Sequence, residues 1–286
     1  LFENYITDIN GIWKNIVVVA AGNEGDSRHH VRTDVSSNIN RTEFEIGDNE
    51  KNIRLFIWKY FQDEFEIYLN TPSGKRINIS NDVTVSSQRE NIESVLAMPT
   101  PYTSKQLVEV SIRPGNSLDY VISGIWSIEF AVTGTIKCGI VDMWLPTIEA
   151  IGLSTGFLRP SPDTTVTIPA TARKVLSVGA FNQDADSMAP FSGRGYTADG
   201  RLVPLIVAYG VDVTAAGYGG GYVRKTGTSF AAPKISGYAA CIMEWGIVRR
   251  NDENMYGEKL IAYMTRYAVG IEGEEMPGIR QGWGLI

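Results

Sequence analysis

A block of strand-forming sequence, set between two segments of different texture, limits the possible folds more than any other feature. From about Asp26 to Gly152 the chain alternates apolar and polar residues in short runs: TEFEIG, IRLFIWKYF, EFEIYLN, QLVEVSIRP, DYVISGIWSIEFAVTG and IKCGIVDMWLP. Period-two alternation rich in Ile, Val, Phe, Tyr and Trp belongs to strands with one buried face. Turn signals separate the runs at Thr71–Lys75 (TPSGK), Arg113–Ser117 (RPGNS) and Thr133–Thr135 (TGT). Seven or eight strands with hardly any helix predict a β-sandwich of jelly-roll or similar topology over residues 26–152. No catalytic or metal-ligating constellation stands out within it, so the block reads as a packing or docking module.

The flanks read as α/β. IVVVAAG (Ile16–Gly22) is β-branched and short, which predicts a buried strand. It delivers the polar loop GNEG at its C-terminal end, where α/β sheets build their sites. The preceding LFENYITDINGIWKN is helix-like and starts without methionine, signal peptide or cap, so the chain reads as part of a longer one. From about Thr165 strands return in KVLSVGAF (Lys174–Phe181) and LIVAYGVDVTAAG (Leu205–Gly217), and GYGGGYVRKTGTS predicts a glycine-rich hairpin. FAAPKISGYAACIMEWGIVR predicts a buried helix after Ser229, and a second helix follows over Gly257–Tyr267. Three segments result: 1–25 and 153–286 as two parts of one α/β domain, and 26–152 as the inserted β-sandwich.

Composition excludes some classes. With a formal net charge of -6 and no Lys/Arg cluster, the chain carries no nucleic-acid footprint. No apolar run reaches the length of a membrane span. The two cysteines, Cys138 and Cys241, are expected unpaired, with Cys241 a buried thiol on the helix after Ser229.

The chemistry concentrates in TGTSFAAPKISG (Thr226–Gly237). Gly227 permits a turn and close approach, and Ser229 opens a helix where free N–H groups favour a developing negative charge. Ala231 and Ala232 let neighbours crowd in, and Pro233 is tolerable near the first turn. A plain Ser N-cap is the competing reading. Asn23, just past the Ile16–Gly22 strand, offers a carboxamide donor to an oxyanion, with a second donor from the Ser229 backbone amide. Its competing reading is a turn-forming Asn. A serine nucleophile needs a base, and the chain has only His29 and His30. They sit at the exit into the inserted module, a poor place to hold a base, and read as loop-stabilising or solvent-facing residues. Asp212, Asp184 and Asp186 invite a metal site, and calcium is one reading of the last two, but NQDADS reads as a solvated turn. No cofactor is expected.

VVVAAGNEG followed far downstream by GTSFAAPKISG closely resembles the subtilase family of serine proteases, with SVGAFN and APFSGRG similar to the strand and loop between them. The resemblance covers residues 1–25 and about 163–286. It implies a subtilisin-like parallel α/β sheet with flanking helices, Ser229 as nucleophile and Asn23 as oxyanion donor. It also implies substrate contacts at Ala20, Ala21 and Gly22, which match one wall of the side-chain pocket, and at Gly227 and Thr228 beside the serine. The family's catalytic Asp and His precede the asparagine, yet only 22 residues precede Asn23 and none is histidine. The resemblance therefore implies a partner, an N-terminal fragment of the same protease that carries both.

The β-rich block between Asn23 and Ser229 is similar to the insertion of the clostridial Csp spore-germination subtilases. That likeness implies a protein substrate, a cortex-hydrolase zymogen activated by limited proteolysis, and a spore location. It also implies that a cleaved prodomain can stay bound. A catalytically dead pseudoprotease serving as a binding or regulatory scaffold is the alternative, and a carbohydrate-binding sandwich is a third reading.

Overall fold

The computed structural model describes residues 14–36, 40–101 and 103–286. The helix expected ahead of Ile16 lies outside the described residues. The chain divides into two units: the described part of Leu1–Asp26 together with Asp163–Ile286, and Ser27–Pro162.

The first unit is built on short strands, and the strand expected to be buried at Ile16–Gly22 is only half-buried over Val18–Ala20. β1 (Val18–Ala20) pairs in parallel with β13 (Leu176–Asn182), which pairs in parallel with β15 (Ile206–Tyr209) and turns back into β14 (Ser187–Met188). Six of the seven β13 residues are buried, the signature of a parallel strand covered on both faces. Leu176, Val178, Ile206 and Ala208 pack against Ala231, Ala232, Ile235 and Ala239 of helix α1 (Thr228–Met243). Leu260 and Met264 of α2 (Gly257–Tyr267) complete this core. The expected hairpin forms from β16 (Val213–Ala216) and β17 (Tyr222–Lys225), and it runs directly into α1.

The second unit is a two-sheet sandwich. One sheet has the order β12 (Gly156–Phe157), β3 (Arg41–Ile46), β10 (Gly124–Val132), β5 (Phe65–Asn70), β6 (Arg76–Asn78). The other runs β2 (His30–Asp34), β11 (Ile140–Trp144), β4 (Ile53–Tyr60), β9 (Lys105–Pro114), β8 (Glu90–Ala97), β7 (Val83–Ser86). Alternation works as the pattern requires: Ile53, Leu55 and Ile57 of β4 are fully buried while Arg54, between the first two, faces outward. They join Phe44, Trp126, Ile128 and Phe130 of the facing sheet in one core. Each such side chain, fully buried, contributes about 1.5–3 kcal/mol.

Two carboxylates fasten this sandwich. Asp63 accepts the backbone N–H groups of Lys137, Cys138 and Gly139 at 2.6, 2.8 and 2.9 Å. Asp142, wholly buried, accepts from Arg32 Nε at 2.7 Å, Lys105 Nζ at 3.0 Å and His30 Nε2 at 3.2 Å. Burial alone would raise the Asp142 carboxyl, but the His30 and Arg32 hydrogen bonds and the Lys105 charge outweigh it and hold it far below the usual carboxylate range.

Several expectations need correction. Among the described residues ten strands form within 26–152 where seven or eight were read, and β12 adds another beyond Gly152; β2, β6 and β7 are too short or too polar for periodicity to reveal. Residues 153–162 belong to the sandwich unit, since Gly156 and Phe157 pair with Glu45 and Phe44. Helix α1 is not buried all round: Thr228, Ala231, Ala232, Ile235 and Ala239 are covered, whereas Pro233, Ser236, Gly237 and Cys241 are exposed. Cys241 is therefore an exposed thiol, as is Cys138, and both are free. Pro233 sits beyond the first turn, so the amide that would bond the Ser229 carbonyl is missing.

Candidate active site

Asn23 and Thr228, 205 residues apart, meet at the C-terminal end of β1. The buried Thr228 donates both its backbone N–H and its Oγ1–H to Asn23 Oδ1, each at 3.0 Å. Gly22 N–H in turn donates to Thr228 Oγ1 at 3.1 Å. A carboxamide oxygen that accepts two hydrogen bonds has its rotation settled, which leaves Nδ2 as the outward donor. A Cβ built on Gly227 would lie 3.5 Å from Asn23 Nδ2, so that donor faces the turn that carries the serine. Gly227 holds φ at 149°, a backbone that side-chain-bearing residues rarely adopt.

Ser229 is exposed in the first turn of α1, directly after the buried Gly227 and Thr228. Its amide is among the first N–H groups of the helix, which have no intrahelical acceptor, and the helix dipole favours negative charge there. The exposed hydroxyl and helix-start amide of Ser229 thus directly follow Thr228, the residue that orients the Asn23 carboxamide. Together they can hold a tetrahedral oxyanion, where removal of one such donor costs about 10²–10³ in rate.

The other expected contacts divide. Ala20 ends β1 and is half-buried, and Gly22 is half-buried with φ at 95°. Ala21 has no exposed surface, and its N–H donates to Val178 O while its carbonyl accepts from Thr167 N–H, so its methyl belongs to the core. Gly227 and Thr228 are likewise buried, and Thr228 acts by positioning Asn23 rather than by facing solvent. The resemblance grouped Thr228 with substrate contacts and missed this role; its hydroxyl also accepts the amide of Gly22, the chain neighbour of Asn23.

The histidines are not solvent-facing, and both lie in the sandwich unit. His30 is 2% and His29 4% exposed. Both His30 ring nitrogens are engaged, Nε2 with Asp142 Oδ1 at 3.2 Å and Nδ1 with the Ser161 carbonyl at 3.3 Å, and the ring stacks on Trp144. His29 Nε2 lies 3.3 Å from the Thr155 carbonyl. Asp184 and Asp186 occupy the turn between β13 and β14, where Asn182 Oδ1 accepts the N–H groups of Asp184 and Ala185. The Asp212 N–H bonds Thr226 Oγ1 in the hairpin region. Among the described residues no group of three or more His, Cys, Asp or Glu side chains is arranged to hold a metal.

The profile of the Subtilase family, Peptidase_S8, matches residues 154–284. The chain is 33% identical over 104 residues to the serine protease AprX of Bacillus subtilis, covering 29% of this chain and 24% of AprX. It is 37% identical over 78 residues to the thermophilic serine proteinase of Bacillus sp. strain AK1, covering 27% of this chain and 18% of that protein. The structure of the CspB protease of Clostridium perfringens superposes with a TM-score of 0.90 at 34% identity, over 100% of this chain and 60% of that chain. The chain therefore spans less than two thirds of each of these relatives. No helix among the described residues is long and apolar enough to cross a membrane. These matches identify residues 154–284 as a subtilase-family domain and give the chain a CspB-like fold.

Proposed function

We propose that this chain is the C-terminal part of a subtilisin-like serine endopeptidase. Ser229 attacks the scissile carbonyl to form an acyl-enzyme, and Asn23 Nδ2 and the Ser229 amide stabilise the oxyanion. The observation that carries the proposal is the double hydrogen bond from Thr228 to Asn23 Oδ1, which aims Nδ2 at the turn bearing Ser229.

The catalytic Asp and His come from an N-terminal fragment of the same protease, our proposed partner. Two features support it: the exposed small residues on α1, and β1, which pairs with a strand on one edge only among the described residues. A bound prodomain is a second partner of the same origin. The strand order β2-β11-β4-β9 facing β3-β10-β5-β6 supports reading the sandwich as a jelly roll inserted between Asn23 and Ser229. The likeness to CspB favours a Csp-type role, limited proteolysis of a cortex-hydrolase zymogen in the spore.

The test uses the complete protease. A fluorophosphonate is expected to label Ser229, and Ser229→Ala is expected to abolish turnover with the fold intact. Asn23→Ala is expected to lower kcat by about 10²–10³. Failure of the reagent to label the native, complete protein would instead favour the pseudoprotease scaffold.

A further inference from the structure

We infer that Ser192 is a positioning residue for the oxyanion donor: its buried hydroxyl fixes the loop that grips the backbone on both sides of Asn23. This inference rests on the protease reading above, in which Asn23 Nδ2 serves the oxyanion. Thr228 settles the Asn23 side chain, but a carboxamide is placed no better than the backbone that carries it. That backbone is the turn Gly22–Gly25, and a second loop, Ala189–Gly195, holds it.

Both grips flank Ser192 directly. The Gly193 N–H donates to the Gly22 carbonyl at 2.9 Å, and the Gly25 N–H donates to the Phe191 carbonyl at 2.9 Å. At Gly25 and Gly193 no side chain separates the two loops. A Cβ built on Gly25 would lie 2.3 Å from the Ser192 carbonyl oxygen and 2.7 Å from that of Pro190. One built on Gly193 would lie 2.5 Å from the Ala21 carbonyl oxygen. With backbone against backbone at both ends of the turn, a shift of the second loop carries Asn23 with it.

Ser192 fixes that second loop to the sheet. It is 1% exposed, and its Oγ accepts the Ala180 N–H of β13 at 3.0 Å. The Ala21 N–H donates to the Val178 carbonyl at 2.9 Å, where the chain leaves the sheet after β1. The Ala180 amide, two residues further along β13, goes to Ser192 instead. Removal of the hydroxyl leaves that buried amide without its acceptor, and the loop must move to repair it. The far end of the loop stays tied, since Thr165 Oγ1 accepts the Arg194 N–H at 3.0 Å and the Arg194 carbonyl accepts the Thr165 N–H at 2.9 Å. The loop is therefore displaced rather than released.

The experiment is a double-mutant cycle on the complete protease: Ser192→Ala, Asn23→Ala and the two together. Each is assayed on a peptide substrate, with a thermal melt and fluorophosphonate labelling of Ser229 run alongside. Asn23→Ala alone is expected to lower kcat by about 10²–10³. Ser192→Ala alone is expected to lower kcat about tenfold and to change KM by less than about threefold, since misplacing a donor costs part of what removing it costs. In the Asn23→Ala background, Ser192→Ala is expected to cost less than about twofold more, because no donor is left to position. A serine that only supports the fold would cost the same factor in both backgrounds. That result, or an unchanged kcat for Ser192→Ala, overturns the inference and leaves the protease reading standing. Should Ser192→Ala not fold, Ser192→Cys, similar in size but a weaker acceptor, is expected to show a smaller loss that likewise disappears in the Asn23→Ala background. Absence of labelling in the native, complete protein removes the protease reading and the inference with it.

Discussion

Asn23→Asp separates anchoring from catalysis at this site. Asn23 Oδ1 accepts two hydrogen bonds from Thr228, both 3.0 Å long, and a carboxylate oxygen accepts the same pair. The substitution therefore keeps the link between β1 and α1. What changes is the other atom: a donor Nδ2 becomes an acceptor oxygen, negatively charged, aimed where the oxyanion forms. Loss of such a donor costs about 2.7–4 kcal/mol in the transition state, or about 10²–10³ in kcat. The uncharged ground-state carbonyl gains little from the donor, so KM is expected to change by less than about threefold. Steady-state kinetics of the complete protease on a peptide substrate, with a thermal melt of each variant, reads both quantities. A kcat within about threefold of the native value, at an unchanged melting temperature, would refute the assignment of Nδ2 as the oxyanion donor.

Three further outcomes follow from the same geometry. Thr228→Val removes one of the two bonds to Asn23 and leaves the Gly22 amide without its acceptor; it is expected to lower kcat about tenfold, and Thr228→Ser to restore it, in the same assay. Asp142→Asn leaves Arg32 and Lys105 without their shared counter-charge and is expected to cost about 3–5 kcal/mol at neutral pH, measured by urea unfolding. Because the Asp142 carboxyl is depressed in the fold, its contribution is complete above the ordinary carboxylate value of about 4 and is lost progressively below it, as pH falls toward the much lower folded value. The gap between native and variant should therefore narrow below about pH 5, and a pH-independent gap would contradict the account. Gly193→Ala would place a Cβ 2.5 Å from the Ala21 carbonyl oxygen; a backbone shift costing about 1–3 kcal/mol, seen as a lower melting temperature together with reduced kcat/KM, is expected.

Legibility in the sequence followed the range of the interaction involved. Ile53, Leu55 and Ile57 could be assigned inward by alternation alone, because a strand with one buried face writes its own period. The five-residue β2 could not: its sequence HVRTD is mostly polar, and its buried His30 is satisfied by Asp142, 112 positions away. A His–His pair at the end of a loop carries in its sequence no sign of such a distant partner. The exposure of Cys241 was hidden for a similar reason. Apolar spacing places residues on a helix but does not say which of its faces a neighbour covers.

The nucleophile motif and the asparagine after a buried strand were determined by sequence alone, because both depend on local backbone demands: small residues, a glycine of positive φ, and a serine at a helix start. Sequence also determined that an all-β block lies between them. Tertiary structure decided what those residues do to each other. It selected Thr228 as the group that orients Asn23, set Thr167 against Gly22, and buried Ala21 so that only its backbone serves the site. Each of these contacts joins positions more than a hundred residues apart, and neither periodicity nor local propensity reaches across a chain closure of that length.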